Sequence, residues 1–87
     1  MVDISIFTPV YNCGEYIKRC IDSVLSQEFN GTWEWILVDD GSIDNTVELI
    51  KEYNDERIKL IECEHRGIVD ASNEALNHCN GKYCARI

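Results

Sequence analysis

Two periods alternate along the chain. Short apolar runs, rich in β-branched and aromatic residues, are separated by stretches whose apolar positions recur every three or four residues, the spacing of one helix face. "DISIFTPV" opens the series and stops at Pro9, predicting a strand over residues 3–8. "GEYIKRCIDSVLSQ" then predicts a helix with Tyr16, Ile17, Cys20, Ile21, Val24 and Leu25 turned inward. "FNGT" breaks that helix. "WEWILVD" is apolar nearly throughout and predicts a strand covered on both faces. Asp44 suits the N-cap of a second helix over 44–53, with Val47, Leu49, Ile50 and Tyr53 inward. "RIKLIEC" alternates and predicts a third strand. "GIVDASNEALNHC" predicts a third helix that buries Ile68, Ala71, Ala75, Leu76 and Cys79. Asn80-Gly81 supplies a left-handed cap for it, and "KYCARI" begins a fourth strand.

The order is βαβαβαβ. It predicts an α/β fold with a mostly parallel four-stranded sheet, right-handed crossovers and helices on both faces. Ligands of such sheets bind beyond the carboxyl ends of the strands, where the strand order reverses. Two loops fall at that rim, "TPVYN" after the first strand and "DDGS" after the second. Their chemistry leaves two readings open. Asp39 and Asp40 can accept hydrogen bonds from a base or ribose, and Gly41 allows close approach of a ligand; equally, Asp, Gly and Ser make an ordinary turn with a helix cap. Tyr11 offers a face on which a planar base can stack, with Asn12 as an amide donor and acceptor beside it, or it is an aromatic packed on the surface. Pro9 fixes the backbone leading to both.

Length and charge narrow the classes. Eighty-seven residues suffice for one domain. A net charge of −8 argues against general nucleic-acid binding, which needs a basic face, but not against an anion held by backbone N–H groups. No apolar run reaches the ~18 residues of a membrane span. No basic segment followed by an apolar stretch marks the N-terminus. The five cysteines lack a C-x-x-C pair and read as reduced thiols of a cytoplasmic protein. His65 and His78 show no zinc spacing and read as surface residues. Neither G-x-G-x-x-G nor a Walker loop is present.

With these residues in place, "ISIFTPVYN" closely resembles the opening "VSIIIPVYN" of the family-2 inverting glycosyltransferases. "WEWILVDDGSIDNT" resembles that family's strand plus "DDGSTDNT", and "HRGIVDASNEALNHCNGKY" is similar to its third block, a Gly, an Asn-containing helix and a "GEY" turn. The three lie in register over essentially the whole chain. The resemblance implies the N-terminal half of a GT-A fold, a Rossmann-like unit binding a nucleotide-diphosphate sugar, above all a UDP-sugar. It gives Pro9, Val10 and Tyr11 the cup for the base, with Asn12 and Gly41 beside it. Asp40 would hydrogen-bond the base and Asp39 would support the site. The family's Arg in the third block is here Ser72, so Asp70 and Asn73 are the candidates to reach the nucleotide. Asp70 also reads simply as a first-turn acid complementing the helix dipole.

The same resemblance implies a divalent cation, Mn²⁺ or Mg²⁺, on a D-x-D motif that the fourth strand enters after Ile87, with the general base further on. Residues 1–87 thus read as a part of a longer enzyme that is inactive alone and self-associates through an uncovered sheet edge. The family's commonest setting is bacterial polysaccharide assembly, with membrane association of the longer protein left open. Two other classes compete. A receiver-type signalling domain keeps its acidic pair after the first strand, and here the pair follows the second. A non-catalytic α/β binding module would use the rim only as a turn.

Overall fold

The computed structural model describes residues 2–87. Four strands and three helices follow one another as β1 (Ile4–Val10), α1 (Ile17–Leu25), β2 (Trp33–Asp40), α2 (Thr46–Lys51), β3 (Ile58–Cys63), α3 (Ile68–Asn77) and β4 (Tyr83–Arg86). All strand pairs are parallel, in the order β3-β2-β1-β4. The order reverses between β1 and β4, so the joined tips of β1 and β2 lie beside the reversal rather than at it.

The strand period sorts the core into two layers. Ile6 and Val10 of β1 and Trp33, Trp35 and Leu37 of β2 pack on one face against Ile17, Ile21 and Val24 of α1 and Ile50 of α2. Phe7, Ile36 and Val38 point the other way, onto Ala71 and Ala75 of α3. All eight residues of β2 are buried. Among them is Glu34, which takes the place of an apolar residue on the α3 side.

Several boundaries differ from the sequence pattern. β1 runs through Pro9 to Val10, with Pro9 opposite Val38. In a parallel ladder, successive residues bond to opposite neighbours. Phe7 O accepts from Ile87 N, so odd residues of β1 face β4, and that pairing stops at Phe7. The N–H that Pro9 lacks would therefore face a side with no strand partner. α2 starts at Thr46, although Asp44 still receives the Thr46 N–H at 3.0 Å and so caps the turn from two residues upstream.

Three expected core residues lie outside. Tyr16 precedes α1 and is exposed, and Ile68 and Leu76 of α3 are 56% and 45% exposed. α3 meets the sheet through its alanines, whose small side chains bring the helix close. Ile68 points to the rim and Leu76 lies off the contact face. Gly81 is not left-handed: it is absent from the positive-φ glycines, which are Gly31, Gly41 and Gly67. A Cβ there would lie 2.6 Å from the backbone N of Ser5, so glycine is required by close approach to β1.

Candidate nucleotide-binding site

Adjacent residues of β2 face opposite sides of the sheet, and this separates the two aspartates. Asp39 points toward the α1–α2 side and Asp40 toward the α3 side. Each is nearly buried and each organises a different loop.

Asp39 Oδ2 accepts the Ser42 N–H at 3.1 Å, holding the turn that leads into α2. Its Oδ1 is buried and, among the described residues, has no hydrogen-bond partner. Asp40 holds the loop between β3 and α3. Its Oδ1 accepts the Arg66 N–H at 2.8 Å and its Oδ2 the Gly67 N–H at 3.0 Å. His65 Nδ1 lies 2.9 Å from Oδ2 and 3.1 Å from the Asp40 carbonyl oxygen. The Arg66 N–H, followed by that of Gly67 and by His65, outweighs burial and holds the Asp40 carboxyl below the usual carboxylate range. Two glycines make the approach possible. Gly41 has φ +76°, and a Cβ on it would sit 2.7 Å from the His65 backbone N. Gly67, with φ 103°, turns the chain into α3.

The loop after β1 is stapled to the loop after β2. Asn12, at φ 48°, donates its N–H to Ser42 Oγ at 2.8 Å and accepts the Ile43 N–H on Oδ1 at 2.9 Å. The Cys13 N–H reaches Thr46 Oγ1 at 2.9 Å and the Gly14 N–H reaches Asp44 Oδ2 at 3.0 Å. Asn12 thus clamps the two loops together. These bonds fix the path of the chain just beyond Tyr11, a residue 45% exposed whose ring stacks on His65, with centroids 4.3 Å apart and planes 20° apart.

Pro9, Val10, Tyr11, Asp40, His65, Gly67 and Ile68 enclose a cavity of about 230 Å³. The structure therefore brings Pro9, Val10, Tyr11 and Asp40 to one concavity. Asn12, Asp39 and Gly41 lie behind it as supports. Asp70 lines an adjoining cavity of about 260 Å³ with Asp40, Glu64, Arg66 and Glu74, whereas Asn73 is exposed on α3 and lines neither. His65 is exposed, as the sequence reading expects, but it also stacks on Tyr11 and bonds Asp40, which that reading did not anticipate. Its signal was "HRG" before a helix that packs on the Asp40 side of β2.

A second buried carboxylate lies at the other end of β2. Glu34 accepts from Ser5 Oγ at 2.6 Å, Lys59 Nζ at 2.8 Å and the Asn80 N–H at 2.7 Å. Burial raises its pKa, but Lys59, Ser5 and Asn80 together outweigh that and hold it at about 2.

Among the described residues, no group of three or more His, Cys, Asp or Glu side chains is arranged to hold a metal ion. Asp40, which lines the cavity of about 230 Å³, is committed to the Arg66 and Gly67 N–H groups and to His65, so this cavity does not fit a divalent cation. No described helix is long and apolar enough to cross a membrane.

Residues 5–87 match the model of "Glycosyl transferase family 2". A chondroitin synthase of Escherichia coli is 38% identical over 86 residues, covering 97% of this chain and 12% of that protein. The crystal structure of S. aureus TarS 1–349 in complex with UDP-GlcNAc superposes with a TM-score of 0.90 at 29% identity, over 99% of this chain and 26% of that one. The mannosyltransferase PcManGT from Pyrobaculum calidifontis, in complex with GDP-Man and Mn²⁺, gives 0.83 at 28% identity, over 91% and 25%. The chain thus spans about a quarter or less of these proteins.

Proposed function

The chain belongs to glycosyl transferase family 2, and on that footing we propose that it is the nucleotide-sugar-binding part of an inverting glycosyltransferase. The donor is a nucleoside-diphosphate sugar, with UDP as the carrier. One observation carries this reading: a half-exposed aromatic ring, Tyr11, stacked on His65, and a buried carboxylate, Asp40, border the same cavity at the carboxyl ends of two paired strands. A nucleobase is a flat ring with N–H groups on its edge. Stacking and edge hydrogen bonds together are how proteins hold one.

In this reading Pro9 and Val10 form the wall of the base subsite, Tyr11 its stacking face and Asp40 its acceptor. Asn12, Asp39 and Gly41 keep the two loops in place. Asp70, in the adjoining cavity, lies toward the ribose and diphosphate, and Asn73 is the more distant candidate. The UDP-GlcNAc and GDP-Man of the structural neighbours support a nucleotide-sugar as the class of ligand.

The acceptor hydroxyl, its general base and the ligands of an activating Mn²⁺ or Mg²⁺ are assigned to chain outside residues 1–87. Residues 1–87 alone are therefore expected to bind donor without transferring sugar. All four residues of β4 are exposed and its outer edge is unpaired within the sheet, which supports self-association through that edge.

Titration with UDP and GDP, followed by amide and ring resonances, tests the site. Shifts confined to Tyr11, Asp40 and their neighbours are expected. A response spread over the surface, or none at saturating nucleotide, overturns the assignment and favours a non-catalytic module.

A further inference from the structure

One wall of the base subsite is already a flat ring, that of His65. His65 lies in the loop between β3 and α3, 25 residues from Asp40 in sequence. Its side chain is 57% exposed, so burial does not hold it. Two directed contacts do. Its face stacks on Tyr11, and its Nδ1 meets Asp40 Oδ2. A carboxylate only accepts, so Nδ1 is the donor in that bond.

These are the two contacts assigned above to a nucleobase: one face on the tyrosine and one N–H edge on the aspartate. We infer that His65 is a built-in stand-in for the base, occupying its subsite in the free protein and leaving when the nucleotide arrives. The inference rests on the nucleotide reading of the site. The other partners of Asp40 are backbone N–H groups of Arg66 and Gly67, anchored by the chain entering α3. His65 is the partner that a side-chain rotation can remove. Its departure uncovers one face of Tyr11 and one acceptor position on Asp40 without disturbing the loop.

A self-occupied site binds its ligand more weakly by the fraction of molecules that are open. If about nine molecules in ten are occupied by His65, removing the ring raises affinity about tenfold. The experiment is a UDP titration of the wild-type chain and of His65→Ala, with the His65 ring protons followed in the wild type. The free protein should show the upfield shift of a ring lying over Tyr11, and that shift should vanish at UDP saturation. His65→Ala should bind UDP about tenfold more tightly. Equal or weaker binding by His65→Ala, or a His65 ring that stays shielded in the saturated complex, overturns the inference while leaving the nucleotide site standing. UDP that perturbs neither Tyr11 nor Asp40 in either chain overturns both. His65→Phe is a second variant, retaining the stack without the Asp40 bond. It should fall between the other two, and binding no tighter than wild type would again count against the idea.

Discussion

Glu34 and Asp40 sit six residues apart on the same face of β2, and both clamp α3. Asp40 receives the backbone N–H groups that lead into the helix, at Arg66 and Gly67. Glu34 receives the N–H of Asn80, just beyond the helix end. The two differ in what completes them. Glu34 is closed by Ser5 and Lys59 and borders no cavity described above. Asp40 is closed by an imidazole that is more than half exposed, and it borders two cavities. Each acid has one exposed side-chain partner, Lys59 for Glu34 and His65 for Asp40, so what makes Asp40 available to a ligand is the open space beside it.

The sharpest way to break this comparison is Glu34→Ala. It strips a buried network and should cost about 2–4 kcal/mol in urea unfolding, while molecules that remain folded bind UDP as before. A loss below about 0.5 kcal/mol would mean that the network contributes little. Acid should act through the same group. Its carboxyl titrates at about 2 in the folded chain against 4.5 ordinarily. The stability linked to it is present above pH 4.5 and is lost as pH falls toward 2, on the order of 2–3 kcal/mol. Glu34→Gln should flatten that part of an acid-unfolding curve, and an unchanged slope would assign the loss elsewhere. Asp40, whose pKa is also lowered, adds to the loss in the same direction.

At the rim, Gly41→Ala forces a Cβ against the His65 backbone at a positive φ and should cost about 1–3 kcal/mol. Thermal or urea unfolding reads it, and a neutral result would show that the 64–67 loop gives way. Tyr11→Ala should be the mildest for the fold, within about 0.5 kcal/mol. It should still weaken UDP binding by about 1–3 kcal/mol, the usual worth of a base–aromatic stack. Unchanged UDP affinity would remove Tyr11 from the site.

Much of this was legible in the sequence because it depends on local period. The element order and the two-sided burial of β2 follow from apolar spacing alone. The partners of Glu34 and Asp40 were not legible, since they lie 25–46 residues away and arise only once α3 is laid across the sheet. Glu34 gave a signal all the same, as one acid between two tryptophans in an otherwise apolar strand. Ile68 and Leu76 misled because helical spacing marks a stripe without saying how much of it the alanines already cover.

The splitting of Asp39 from Asp40 has a consequence for insertions. Because β2 turns each successive side chain through half a revolution, its length is constrained by parity. Adding or deleting one residue between Glu34 and Asp40 would rotate one of the two clamps onto the α1–α2 side, freeing one end of α3 and exchanging the duties of the adjacent acids. A change of two residues would keep both on their side and merely move them apart, so such a strand can lengthen or shorten only by even steps.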